Sequence, residues 1–105
     1  MTWTILWSSF AEQQIANIYS YYLEEASVKV AKKIARGIIK VPDSLIKNPE
    51  LGQIELSLID LKIEYRYLLF KSYKIIYSLD HELSQIRVVD VFDTRQNPSK
   101  LKRKK

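Results

Sequence analysis

Residues Tyr65 to Leu101 read YRYLLFKSYKIIYSLDHELSQIRVVDVFDTRQNPSKL, and this stretch decides the fold. Branched and aromatic residues run in short blocks broken by polar turns, the pattern of consecutive β-strands. The strands are predicted at 63–71, 73–79 and 85–92. Lys71 and Ser72 form the first turn, and Asp80, His81 and Glu82 form the second. Linkers this short join antiparallel neighbours, so the C-terminal half is a three-stranded meander. Each strand carries a cation: Arg66 and Lys71, then Lys74, then Arg87, with Arg95 just past the last. Cations spaced this way are expected to converge on one sheet face and present charge to a phosphate or a carboxylate.

Alternation assigns the faces. Arg66, Leu68 and Phe70 oppose Tyr65, Tyr67 and Leu69. Tyr73, Ile75, Tyr77 and Leu79 oppose Lys74, Ile76 and Ser78. In the last strand Ile86, Val88 and Phe92 oppose Val89 and Val91. A strand apolar on both faces belongs inside a sheet rather than at its edge. Upstream, Gln53 to Leu61 alternates yet carries helix formers, and reads as a connector with short strand character. Asn48, Pro49 and Gly52 mark the end of whatever precedes it.

That preceding half is helical. Trp3, Ile5 and Trp7 alternate as a short strand. Ser9 and Glu12 then fit a capping box, with Ser9 as the expected N-cap. Ala11, Ile15, Ile18, Tyr19 and Tyr22 make one face of a helix reaching Glu25. A second helix starts near Ser27 with Ala31, Ile34, Ala35, Ile38, Val41 and Leu45 as its apolar stripe. Gly37 weakens it, and Pro42 is expected to kink or break it by removing a donor. Lys29, Lys33, Arg36 and Lys40 repeat on another face. A turn of few residues makes the pair an antiparallel helical hairpin. The architecture is α+β: an N-terminal strand, then the hairpin packed on one face of a mainly antiparallel sheet, with the opposite face left uncovered.

Composition narrows the function classes. The 105 residues read as one domain, with 98–105 a basic, frayed tail, and 47% of them are hydrophobic, enough for an ordinary core. No apolar run reaches the roughly 18 residues of a membrane span. The N-terminus lacks a basic leader, so the expected compartment is the cytoplasm. With no cysteine and His81 as the sole histidine, thiolate chemistry is out, and no metal or cofactor is expected. The net charge of +5 favours nucleic acid, ribosome or an acidic protein as partner, and no membrane or small-molecule ligand is expected.

The order strand, helix, helix, meander, with YRYLLFKSYKIIY followed by VVDVFDTRQNPSKL, resembles the RelE/ParE superfamily of bacterial type II toxins, which includes plasmid stabilisation proteins. The resemblance covers nearly the whole chain by layout, and its specific part is Tyr65 to Leu101. SYKIIY looks like the family's GYRxxY strand with Lys74 in the arginine position, and VFDTRQNP looks like its closing strand with Arg95 in place. RelE-type members cleave messenger RNA on the ribosome. The resemblance implies cations at Arg66, Lys74 and Arg95 as the catalytic candidates, stabilising charge on phosphorus. A second lysine of that type falls on Leu68, and a terminal tyrosine falls on Leu101; leucine neither exchanges a proton nor holds a charge. ParE-type members instead poison DNA gyrase, where the same three residues would bind rather than catalyse. The two leucines favour the gyrase reading, with RNA cleavage and a non-toxic binding module on the same fold as alternatives. An acidic antitoxin is implied as partner, docking on the basic helix stripe or the open sheet face.

The remaining polar residues have ordinary roles available. Arg66, Lys74 and Arg95 can equally pair with Glu64, Asp90 or Asp93. His81 reads as an exposed turn residue, Trp3 and Trp7 as core or interface anchors, and the seven tyrosines as parts of a half-buried sheet.

Overall fold

The computed structural model describes residues 2–96. Strand β1 (Thr4–Trp7) leads into helices α1 (Ser9–Glu25) and α2 (Val28–Lys40). A 3-10 turn follows at Val41–Leu45, then the short strand β2 (Gln53–Ile54) and a second 3-10 turn at Leu56–Leu58. The meander is β3 (Arg66–Phe70), β4 (Tyr73–Asp80) and β5 (Gln85–Asp93). They form one five-stranded sheet in the order β1-β5-β4-β3-β2. β5 lies inside the sheet, as its two apolar faces required. β1 runs parallel to β5, pairing Ile5 with Ile86 and Trp7 with Val88, and the helical hairpin carries the chain from β1 at one edge of the sheet toward β2 at the other.

The hairpin forms for local reasons. The α1 N-cap is Ser8, one residue before the expected Ser9, and its hydroxyl accepts from the Ala11 amide at 3.0 Å. The β ladder explains the difference: the Ser8 amide donates to the Val88 carbonyl at 2.9 Å and keeps this residue extended, which a cap requires. Ser27 caps α2 in the same way, accepting from Val30 at 3.1 Å. α2 stops at Lys40 and Pro42 enters a 3-10 turn, the expected break. Gly37 does not interrupt the helix. A Cβ there would lie 2.2 Å from the Phe70 ring, so glycine is what lets β3 approach α2 so closely.

One core lies between the helices and the sheet. Ala11, Ile34, Ile38 and Leu45 meet Tyr73, Ile75, Tyr77, Ile86, Val88 and Val91, with Trp3, Trp7, Leu68 and Phe70 at its margin. Each fully buried side chain of this size contributes about 1.5–3 kcal/mol. A smaller cluster occupies the opposite face, where Leu58, Ile76 and Phe92 pack with Tyr65, Tyr67 and Val89. That face is therefore partly covered, where the sequence reading expected it to be open. The chain leaving β2 returns across it, with Leu58 buried on the sheet.

Two strand details also differ from expectation. β3 begins at Arg66 rather than Ile63, because 63–65 leave the ladder and Ile63 is exposed. In β5, Ile76 pairs with Asp90 and Tyr77 with Val88, so Val89 is an extra residue in a bulge. The bulge reverses the parity beyond it. Val91, not Phe92, joins Ile86 and Val88 on the helix side, and Phe92 joins Val89 on the other.

Candidate functional site

The three cations picked from the sequence do not converge. Register separates the first two: Arg66 pairs with Tyr77 and shares the helix-side face with Leu68 and Phe70, whereas Lys74 pairs with Leu69 and shares the opposite face with Ile76. The expected single patch of Arg66, Lys74 and Arg95 is not formed.

Arg66 is a brace at the β2 edge. Its Nη1 donates to the carbonyls of Glu50 at 3.1 Å and Gly52 at 2.8 Å, and its Nε donates to Glu64 at 3.0 Å. Tyr77 reinforces the same loop, its hydroxyl donating to the Pro49 carbonyl at 2.8 Å and accepting from the Gly52 amide at 2.9 Å. Burial raises the Tyr77 pKa, so the phenol keeps its proton.

Lys74 is a latch on the other face. Its Nζ meets Glu55 Oε1 at 2.6 Å and lies 4.3 Å from the centre of the Tyr67 ring. Burial opposes the charge on Glu55, whose side chain is only 4% exposed. Hydrogen bonds from Lys74 and from the Ser57 hydroxyl and amide more than offset it and hold the carboxyl below its ordinary pKa. Leu68, where the resemblance puts a second lysine, packs at the margin of the helix-side core. Leu101 and the basic tail lie outside the described residues.

Arg95 lines an open cleft between α1 and the end of β5, whereas the hollow beside Arg66 is lined by Glu50, Glu64 and His81. Gln14, Asn17, Ile18 and Tyr21 of α1 face Tyr73, Val91, Asp93, Arg95 and Gln96 across a space of about 440 Å³. α1 supplies this wall because Gln14, Asn17 and Tyr21 recur at helical spacing beside its apolar stripe. Arg95 is held in a fork by Asp93, with Nε to Oδ1 at 2.9 Å and Nη2 to Oδ2 at 2.7 Å. The hydrogen bonds from Arg95 push the Asp93 carboxyl down, and in return raise the guanidinium. The Tyr73 hydroxyl donates to that of Tyr22 at 3.3 Å or accepts from it, and burial first, then that contact, raises its pKa well above the phenol value. The cleft thus offers fixed charge, side-chain amides and, at Tyr73, a phenol that keeps its proton. It suits recognition of a polar surface better than proton transfer near neutral pH.

Sequence reasoning missed Gln14, Asn17, Tyr21 and Gln96, and it used Tyr22 only as a core residue. The polar spacing on α1 was the available signal. His81 is not part of the cleft; it lies edge-on to Trp3, with ring centres 5.4 Å apart. Among the described residues no group of three or more His, Cys, Asp or Glu is placed to hold a metal. No helix there is long and apolar enough to cross a membrane.

The chain is thus a small α+β domain, a helical hairpin packed on one face of a five-stranded sheet. Residues 5–98 match the family model described as the ParE toxin of the type II toxin–antitoxin system parDE, and the chain belongs to that family. It is the toxin component of such a module. A solved structure described as the chromosomal ParDE TA system from P. aeruginosa has the same fold, with a TM-score of 0.71 at 14% identity over 87% of this chain and 95% of that one. No curated protein matches the sequence significantly.

Proposed function

We propose that this toxin arrests bacterial growth by binding and poisoning DNA gyrase in the cytoplasm, and that an acidic antitoxin protein neutralises it. The observation carrying this reading is the dispersal of the candidate cations. Arg66, Lys74 and Arg95 occupy separate regions, and each has a carboxylate within 3.0 Å. RNA cleavage by a neighbouring 2′-hydroxyl needs cations gathered on one phosphate, together with an acid and a base. Arg66 and Lys74 hold the chain's own loops, and Leu68 cannot replace a lysine. An inhibitor that acts by occupying a surface needs none of that machinery.

One observation favours the RNA-cleaving alternative: Arg95 and Tyr73 share the α1 cleft. With its pKa raised, the Tyr73 phenol stays protonated near neutral pH and is not available as the base, which leaves gyrase binding the better-supported reading. Induced expression of the chain alone tests the proposal. Growth should stop, with DNA synthesis failing before protein synthesis and the DNA-damage response induced. Immediate loss of translation with DNA intact would favour the ribosome, and harmless expression would favour a binding module.

A further inference from the structure

The net charge of the chain is unevenly placed. Outside α2 and residues 100–105, seven Lys and Arg meet all twelve Asp and Glu, so the remainder of the molecule is acidic. α2 holds five cations and no carboxylate: Lys29, Lys32, Lys33, Arg36 and Lys40. Arg66, Lys74, Arg87 and Arg95 are all paired, whereas neither Lys71 in the β3–β4 turn nor any of the five on α2 is ion-paired to another described residue. All five are exposed.

Helix geometry collects them on one side. At 100° per residue they fill a single arc opposite the buried Ala31, Ile34 and Ile38, and Lys29 to Lys40 spans about 16 Å along the axis. They rim a shallow trough of about 550 Å³ floored by Gly37 and Phe70. Lys71 approaches the same ring from the β3–β4 turn, at 5.7 Å from its centre.

We propose that the outer face of α2 is a sequence-independent binding site for the phosphate backbone of duplex DNA. Charge complementarity selects this occupant. Duplex DNA presents a charge about every 1.7 Å of its axis, and exposed cations gain by releasing its condensed counterions. Four of the five are lysines, whose hydrated point charges on flexible stems follow a row of phosphates without a fixed fork. The acidic remainder of the molecule turns this helix toward the nucleic acid during approach. Naked duplex is the ligand, so the site stands or falls apart from the gyrase reading.

Fluorescence anisotropy of the full chain with a short labelled duplex tests the site. Two unrelated sequences should bind equally, and log K should fall against log salt with a slope of about −4. A Lys33→Gln, Arg36→Gln, Lys40→Gln variant should keep its circular dichroism, weaken binding at about 50 mM salt by more than tenfold, and reduce the slope by about three. A second variant replaces Lys102, Arg103, Lys104 and Lys105 by Gln and should retain a clear dependence on α2. The proposal is overturned if the wild-type chain does not bind at low salt, or if the α2 variant binds duplex unchanged. It is equally overturned if the tail variant alone abolishes binding, or if the α2 variant loses capture of polyglutamate while still holding DNA.

Discussion

Lys74 and Glu55 meet at 2.6 Å on the face of the sheet opposite the one that Arg66 shares with Leu68 and Phe70. The pair ties the start of the Leu56–Leu58 turn to β4 and seals the second, smaller core beneath it. A cation read from the sequence as part of a reactive surface is therefore a fastening.

Removing one partner of this latch should cost more than removing both. Lys74→Ala leaves the Glu55 carboxylate buried without its cation and should destabilise the fold by about 2–4 kcal/mol. A Lys74→Met, Glu55→Leu double variant should recover much of that loss. Urea titrations of the four species of the cycle give the comparison.

Acid should loosen the same latch. Glu55 and Asp93 have folded pKa values below their ordinary 4.5 and 3.8, so the native state favours their ionised forms. Their contribution is present above those ordinary values and is lost as pH falls through the lower folded ones. Stability should thus be flat from neutrality to about pH 5 and fall below it. In Glu55→Gln the acid limb should be shallower, as followed by thermal melting across the pH series.

Arg66 and Arg95 should separate cleanly by phenotype. Arg66→Gln breaks contacts to the Glu50 and Gly52 carbonyls and should lower stability by about 1–3 kcal/mol. Its effect on toxicity should follow the folded fraction. Arg95→Gln sits in the open cleft and should lower the melting temperature only slightly, through the lost Asp93 fork, while weakening growth arrest out of proportion to that loss. Paired melting curves and plating efficiencies decide the assignment.

Gly37→Ala should destabilise despite the better helix propensity of alanine. The new methyl would lie 2.2 Å from the Phe70 ring, forcing β3 away from α2 at about 1–3 kcal/mol. Phe70→Leu in the same background should relieve the clash, so that the double variant is more stable than Gly37→Ala alone by denaturant titration.

Much of the fold was legible because local chemistry and tertiary structure agree at its punctuation. Ser27 caps α2, Pro42 ends it, and Lys71 takes the left-handed turn conformation with φ of 52° between β3 and β4. The α1 start was misplaced by one residue because Ser8 is held extended by Val88, a contact 80 residues away in the chain and invisible to local spacing. The Val89 bulge had no glycine to announce it. The separation of Arg66 from Lys74 was within reach. A two-residue turn at Lys71 and Ser72 sets Phe70 opposite Tyr73, and counting back sets Arg66 opposite Tyr77 on the other face from Lys74. Face assignments within β3 and β4 were sound, but the turn that relates one strand to the next was not applied to them. The α1 wall of the cleft needed the packing of α1 on β5, which only three dimensions supply.

Purified toxin added to DNA gyrase, ATP and relaxed plasmid tests the central claim most directly. Supercoiling should be inhibited and cleaved plasmid should accumulate with increasing toxin, while the same protein leaves message intact on translating ribosomes. Unimpaired supercoiling together with cuts in ribosome-bound message would contradict the account.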